Sequence, residues 1–408
     1  MSILIIGAGP AGLTVAETVR RYDPNVPITM ISAEPFPPYS PPALADYFLS
    51  GREETIFWKG TDICDRLGVH YLPGKTVRSV QPREKTVYLD DGTSLSYNRL
   101  VLAAGARLYA PVEGYDMPGV YNFKSLSATH ELHRSIQEGA RTALIVGAGF
   151  IGVEIAILLC KLGLSVTMLV RSRVLRSMLD PETSELVLGR LQEQGINVRI
   201  GPEFDAVAFV GDGRARGVRV RSGEVVEADL LIAATGVKPN VEFLEGSGVA
   251  VSWGVLVDEY QRTNVPDVFA AGDIAETIDR QTGERYVHAI FPNAVAQGQV
   301  VAYNLLGFPT AYEGAERMNS LAHLGLPLIA VGEMEGDEEI RWRADQRLRK
   351  IFLRNGQIVG FRLFNDLRAA GVYRSLMLSG KDVRPFRDRL TTTDLGIADV
   401  VVPAVVGG

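Results

Sequence analysis

"SILIIGAGPAGLTVAETV", residues 2–19, recurs in altered form as "TALIVGAGFIGVEIAILL", residues 142–159. The two stretches register on their glycines: Gly7, Gly9 and Gly12 match Gly147, Gly149 and Gly152, each pair 140 positions apart. Each copy opens with a short apolar, β-branched run, passes through G-x-G-x-x-G and continues with helical periodicity, which reads as strand, tight turn, helix. In that context the first glycine makes the turn and the second lets backbone amides approach a pyrophosphate. The third lets helix and strand pack closely, leaving the phosphates at a positive helix N-terminus. One copy alone is a weak signal; two in register predict an α/β chain that holds two dinucleotides.

A second duplication supports the first. "LVLAAGA" (Leu100 to Ala106) and "LLIAATG" (Leu230 to Gly236) both end a strand in small residues. Ala104 and Gly105 in one, and Gly236 in the other, let the chain cross close to a bound nucleotide. Around these landmarks lie the strand "VPITMIS", a Pro-rich stretch "EPFPPYSPPALADYFLSG" at 34–51 and a β-rich segment to about residue 112. The prolines fix φ and remove donors, so 34–51 is expected to be irregular, either a connector or a wall of the first nucleotide site. After the second glycine turn come a helix in "DPETSELVLGRLQEQG" and further strands, then "TNVPDVFAAGD" and a helix over "FPNAVAQGQVVAYNLLG". Beyond residue 308 the texture is antiparallel, with Asn355-Gly356 as a hairpin signal and a helix from Asp366. The tail "ADVVVPAVVGG" is apolar enough to pack on a partner or on the chain itself. These boundaries give one discontinuous dinucleotide domain (1–112 and 238–307), a second (113–237) and a C-terminal α+β domain (308–408).

Bulk properties narrow the function. The 408 residues exceed one ordinary core, and the formal net charge of −6, with basic residues scattered, gives no support for nucleic-acid binding. No apolar run reaches the roughly 20 residues of a spanning helix. The N-terminus leads directly into a strand without a basic flank or cleavable apolar region, so a cytoplasmic protein with no membrane partner is expected. Only Cys64 and Cys160 are present. They form no C-x-x-C pair, iron–sulfur ligand set or disulfide framework, so no metal site is expected and both thiols read as packing residues.

The strand after the first glycine turn ends at Glu34, where a carboxylate takes ribose hydroxyls; a solvated glutamate is the alternative. The equivalent strand of the second copy ends in "TMLVRSR", with Val170 in place of an acid and Arg171 and Arg173 just beyond. Arginines there suit a 2′-phosphate, with solvated loop arginines fitting nearly as well, so the second nucleotide is NAD(H) or NADP(H), with a slight preference for NADP(H). Glu154 stands in an otherwise apolar helix start, a costly place for an unpaired carboxylate. The histidines offer little for proton chemistry: His70, His130, His133 and His323 lie in ordinary contexts, and only His288, ahead of "AIFPN", is placed to approach a cofactor.

"GAGPAG", "LVLAAGA", "GAGFIGVE", "LLIAATGVKPN", "TNVPDVFAAGD" and "FPNAVAQG", in this order over about residues 1–310, resemble the flavoproteins of the pyridine nucleotide-disulfide oxidoreductase superfamily. Within it the texture is similar to the flavoprotein part of NADH-dependent nitrite reductase, to rubredoxin and ferredoxin reductases, and to the flavoprotein subunit of phenylglyoxylate dehydrogenase. The resemblance implies two Rossmann-like dinucleotide-binding domains in a glutathione reductase-like architecture, plus the C-terminal α+β domain. It implies that Gly7, Gly9, Pro10, Ala11, Gly12 and Glu34 hold the ADP half of FAD, and that Asp273, after Gly272, binds the ribityl chain. It also implies that Pro292 and Asn293 bring a helix N-terminus to the flavin pyrimidine edge. Gly147, Gly149, Phe150, Ile151 and Gly152 would hold the nicotinamide nucleotide, with Glu154 near the nicotinamide.

The chain departs from that pattern where many relatives carry a redox cysteine: alignment on Gly51 puts Ala43 there, and "SPPALADYF" holds no cysteine. Thiolate or sulfenate chemistry is therefore absent at that position. The lysine that some relatives place near "ALAD" is also missing, with Asp46 the nearest charge. The expectation is an FAD-dependent NAD(P)H:acceptor oxidoreductase in which FAD exchanges single electrons with a separate iron–sulfur protein or subunit, as a homodimer or within a hetero-oligomeric complex. A self-sufficient NAD(P)H oxidase reducing O₂ and a non-catalytic NAD(P)H-responsive sensor or scaffold are the rivals.

Overall fold

The computed structural model describes residues 1–121, 123–321, 325–392 and 395–396. The apolar tail from residue 398 and His323, both named above, lie outside the described residues. The chain divides into two compact units, one of residues 1–141, 208–218 and 227–316, the other of 142–207, 219–226 and 317–408.

In the first unit five parallel strands run in the order Val268–Ala270, Arg99–Leu102, Ile3–Ile6, Ile28–Ser32, Val69–Pro73. The N-terminal strand is central because its "ILII" is apolar on both faces, as a strand covered on both sides must be. Alternate side chains serve opposite layers. Ile3, Ile5, Ile28, Met30, Val101 and Phe269 join the core that contains the helices Pro10–Tyr22 and Phe291–Leu305. Leu4, Ile6, Ile31, Leu100, Leu102 and Val268 join Val80, Val87 and Leu89 of a three-stranded antiparallel sheet. Helices thus cover one face and a small sheet the other. The chain leaves the strand Arg99–Leu102 into Ala106–Tyr109, which pairs antiparallel with the returning Gly236–Pro239.

The second unit repeats the opening of the first, with Thr142–Val146, Ser165–Val170 and Asn197–Ile200 as neighbouring parallel strands and the helix Phe150–Lys161 following the glycine turn. Its other sheet is antiparallel, in the order Met318–Ser320, Leu328–Gly332, Gln357–Phe364, Arg347–Arg354, Glu338–Ala344. Asn355 and Gly356 have φ of 52° and 76° and close the hairpin expected there. The final helix runs Ala370–Ser379, later than the Asp366 start expected from sequence. Asp366 is instead held by Arg349 at 2.8 Å and by Arg368 at 3.0 Å.

A second expectation fails in part. The stretch 34–51 is not irregular throughout: Pro41–Ala43 forms a 3₁₀ turn that feeds the helix Leu44–Ser50. Pro35, Pro37 and Pro38 lie in the irregular part that precedes the turn, Pro41 and Pro42 occupy its first positions, where proline is tolerated, and Gly51 ends the helix in the left-handed region at φ 66°.

Candidate functional site

The first glycine turn is built by collisions. Gly7 has φ 110°, and a Cβ there would lie 2.0 Å from the Ala103 carbonyl oxygen; a Cβ on Gly12 would lie 2.0 Å from that of Gly7. Gly9 differs: a Cβ built on it meets no atom within 4 Å among the described residues. Its small size therefore serves space outside the protein's own packing. The helix Pro10–Tyr22 that follows has Gly9 as N-cap, Pro10 in its first turn, no side-chain cap and no acid in that turn. Its leading N–H groups point at a place where a backbone-close anion fits.

Three further motifs converge on this turn. Ala103 and Ala104 lie against Gly7, and Ala104 and Gly105 each give a carbonyl to Asn240, to its side chain at 2.9 Å and its N–H at 3.0 Å. Gly272, with φ 80°, sits so that a Cβ would stand 3.0 Å from that of Ala11 and 3.6 Å from that of Ala294. Gly298 is pressed against the Ala11 carbonyl, which a Cβ would approach to 2.6 Å. The motifs at 7–12, 103–105, 272–273 and 291–298 thus form one constellation within the first unit.

Its polar groups are fixed. Asp273 pairs with Lys124 at 2.8 Å, both side chains 19% exposed. The Gly272 N–H donates to Oε1 of buried Gln297 at 2.7 Å. Pro292 is exposed in the first turn of Phe291–Leu305, a helix start with no side-chain cap. Asn293 is 4% exposed, and its side chain is spent on the protein: Nδ2 donates to the Glu316 carbonyl at 2.9 Å, and Oδ1 accepts from the Glu316 N–H at 3.1 Å. Asn293 thus holds residues 312–316 to the helix start. His288 pairs with Asp279 at 2.7 Å in a buried contact. The imidazole and the N–H groups of Gln281 and Thr282 outweigh burial and keep the Asp279 carboxyl below the usual range.

At the tip of the strand Ile28–Ser32, Glu34 is half-buried and accepts from the N–H and Oγ of Ser127, at 2.9 and 2.8 Å, and from the Tyr39 hydroxyl. Lys124, Ser127, Tyr39 and Gln297 were not singled out from sequence. The Ser-led helix start in "FKSLSATHEL" was a readable signal, with Ser125 accepting from the Ala128 N–H, but nothing in it announced that Glu34 would meet the first turn. Tyr39 lay in the stretch expected to be irregular.

In the second unit Gly147 has φ 105°, and Gly149 caps Phe150–Lys161, again without a side-chain cap; Phe150 and Ile151 are half-buried and Gly152 is buried. Glu154 is half-buried in the second turn. Arg171 is exposed immediately after the strand Ser165–Val170, whereas Arg173 turns its guanidinium to the Leu179 carbonyl at 2.9 Å. Gly236, in the first unit, is exposed opposite Tyr109. Ala43, the position where the sequence resemblance leads one to expect a redox cysteine, is half-buried, and Asp46 is exposed. Cys64 is buried in the core, its thiol pushed up to about 11 by burial and by Asp65. Cys160 donates its S–H to the Gln194 carbonyl.

The residues present fit dinucleotides at both turns. Open space at Gly9 and uncapped helix starts answer a pyrophosphate, and the half-buried acids Glu34 and Asp273 stand at the edge of the first constellation.

Comparison with known proteins agrees. The family model described as pyridine nucleotide-disulphide oxidoreductase matches residues 1–298. The NADH-dependent phenylglyoxylate dehydrogenase subunit epsilon of Aromatoleum evansii is 31% identical over 406 residues, covering 97% of this chain and 95% of the relative. An NADH oxidase of Methanocaldococcus jannaschii is 29% identical over 401 residues, covering 91% and 89%. Among solved structures, a ferredoxin reductase from Rhodopseudomonas palustris superposes with a TM-score of 0.87 at 25% identity, covering 98% of this chain and all of that one.

Proposed function

Since the chain belongs to the pyridine nucleotide-disulphide oxidoreductase family, we propose that it is an electron-transfer flavoenzyme that oxidises NAD(P)H and delivers the electrons to a separate iron–sulfur or rubredoxin-type protein. The observation that carries this reading is the convergence of four glycine- and alanine-rich motifs on one uncapped helix start, combined with the absence of a cysteine at Ala43. Bound FAD supplies the conversion between a two-electron hydride and single electrons, a task for which this chain offers no thiol relay.

The roles of the residues follow from their chemistry. Gly7, Gly9, Pro10, Ala11 and Gly12 admit the FAD pyrophosphate to the amides of the Pro10–Tyr22 helix, while Ala104, Gly105 and Gly272 keep the approach clear. Glu34 takes the adenosine ribose and Asp273 the ribityl hydroxyls. Lys124, 2.8 Å away, fixes the Asp273 carboxylate in place. The start of Phe291–Leu305, shaped by Pro292 and Asn293, directs a positive helix end at the flavin. Gly147, Gly149, Phe150, Ile151 and Gly152 receive the nicotinamide nucleotide, with Glu154 and Arg171 in the same unit.

Several relatives support a partner. The phenylglyoxylate dehydrogenase relative is by name a subunit, and the Rhodopseudomonas neighbour is by title a ferredoxin reductase. Dependence on the nicotinamide pool supports a cytoplasmic location; among the described residues no helix is long and apolar enough to cross a membrane. The Methanocaldococcus relative, by name an NADH oxidase, keeps O₂ reduction as the second reading.

Anaerobic stopped-flow mixing of the flavin-loaded chain with NADH and NADPH in parallel tests the proposal. Fast bleaching by one nucleotide, followed by rapid reoxidation with a ferredoxin or rubredoxin and slow reoxidation with O₂, is the expected result. Stoichiometric rapid O₂ consumption selects the oxidase, and no bleaching by either nucleotide overturns hydride transfer.

A further inference from the structure

Glu34 is expected to read a ribose, yet the protein already engages both of its oxygens. Oε1 accepts two hydrogen bonds from one residue, from the Ser127 N–H at 2.9 Å and the Ser127 Oγ at 2.8 Å. Oε2 accepts the proton of Tyr39. The Tyr39 oxygen in turn accepts the Leu126 N–H at 3.2 Å. The carboxylate is therefore tied to the first turn of the helix Leu126–Gln137, whose leading N–H groups have no intrahelical partner and favour a negative charge. Burial and the adjacent carboxylate hold the Tyr39 phenol far above its ordinary pKa, so it acts as a donor throughout the working range.

The loop bearing Tyr39 is held to the same helix a second time. Phe36 meets His130 edge-on with ring centroids 5.3 Å apart, and the Tyr47 hydroxyl lies 3.0 Å from His130 Nε2. Tyr71 also donates to the Phe36 carbonyl at 2.6 Å. Strand tip, Pro-rich loop and helix start thus close around one carboxylate.

A carboxylate offers about four acceptor positions, and three are taken here. We propose that Tyr39 and Ser127 are positioning residues of the FAD site: they fix the Glu34 carboxylate so that its one remaining lone pair accepts a single hydroxyl of the adenosine ribose. This rests on Glu34 reading that ribose. It assigns roles to Tyr39 and Ser127 and limits the ribose contact to one strong hydrogen bond rather than a pair. The arrangement is pre-organised, because no rotamer freedom of Glu34 remains to be lost on binding.

The test is a ratio of affinities. The full chain, stripped of flavin, is titrated with FAD and with an FAD analogue whose adenosine carries a 2′,3′-dideoxyribose, and the two dissociation constants are compared. One charge-assisted hydrogen bond gives the wild type a preference for FAD of about tenfold. In Tyr39→Phe and in Ser127→Ala the preference falls to about threefold, and Ser127→Thr restores it. General damage to the fold weakens both ligands alike and leaves the ratio intact, so a wild-type ratio in Tyr39→Phe and Ser127→Ala overturns the positioning role. Glu34→Gln separates the two ideas. A collapsed ratio in Glu34→Gln with wild-type ratios in the other two variants sinks the positioning role alone. An unchanged ratio in Glu34→Gln sinks the ribose reading beneath it.

Discussion

Gly9 and Gly12 share a motif and a residue type but have opposite constraints. A Cβ at Gly12 would overlap the Gly7 carbonyl at 2.0 Å, whereas one at Gly9 meets nothing within 4 Å among the described residues. Gly12→Ala should therefore cost roughly 2–4 kcal/mol of stability in the flavin-free chain, since backbone must move. Gly9→Ala should change that stability by less than about 1 kcal/mol yet weaken FAD binding at least tenfold. Thermal melting of the stripped chain and flavin titration check the pair; a destabilised Gly9→Ala would show that this glycine serves packing after all. Both glycines were legible in the sequence because strand–turn–helix geometry imposes them locally. The Tyr39–Glu34–Ser127 contact was not, because residues 34 and 127 are joined only by the fold, and no periodicity relates a strand tip to a helix start 93 positions away.

Elements were legible where pattern and propensity agreed. The Asn355-Gly356 hairpin and the helix Pro181–Glu193, with Asp180 as N-cap and Pro181 next, formed as their residues specify. The helix Leu44–Ser50 was hidden because the five prolines ahead of it read as breakers of the whole segment, whereas two of them, Pro41 and Pro42, form the turn that starts it. What the sequence did not disclose is how Pro181–Glu193 is held. Asp180 and Glu182 meet Lys350 at 2.8 and 3.0 Å, and Glu182 also meets Arg341 at 2.5 Å and Arg343 at 3.0 Å. Asp180 and Lys350 are both buried. Lys350→Met should strand the Asp180 charge and cost about 3 kcal/mol, measured by urea unfolding; a cost below about 1 kcal/mol would mean that water reaches the carboxylate.

The same contacts set a pH dependence. Arg341, followed by Lys350, holds Glu182 down to about 2 against its burial, and Arg368 with Arg349 holds Asp366 at about 2. Burial pulls Asp180 upward, but Lys350 and Thr183 outweigh it and leave it depressed. Groups with depressed folded pKa values stabilise above their unfolded values near 4 and lose that contribution as pH falls toward 2. Melting temperature should hold between about pH 5 and 7 and fall below about 4.5, with a shallower acid limb in Glu182→Gln. A wild-type limb in that variant would assign acid loss to other carboxylates.

For the whole molecule the decisive quantity is the number of electrons it stores. A family whose name contains a disulphide is represented here by a chain with two cysteines, one buried with its thiol pushed up to about 11, the other donating to a backbone carbonyl. At neutral pH a thiol of that pKa is a thiolate in about one molecule in ten thousand, which makes it a poor nucleophile and a poor redox partner. Bound flavin is then the chain's single redox store. Anaerobic titration should reach full bleaching at one NAD(P)H per flavin, where an active disulfide would consume a second equivalent before or after the flavin. Prolonged exposure of the folded protein to a maleimide should leave the rate of electron delivery to an iron–sulfur acceptor within about twofold of untreated enzyme. An endpoint of two equivalents, or loss of turnover on alkylation, would place a thiol in the electron path. A one-equivalent endpoint with intact turnover ties the outgoing electrons to the flavin alone. With no internal thiol store to take them, each electron pair leaves from the flavin itself, in single steps where the acceptor is an iron–sulfur or rubredoxin-type protein.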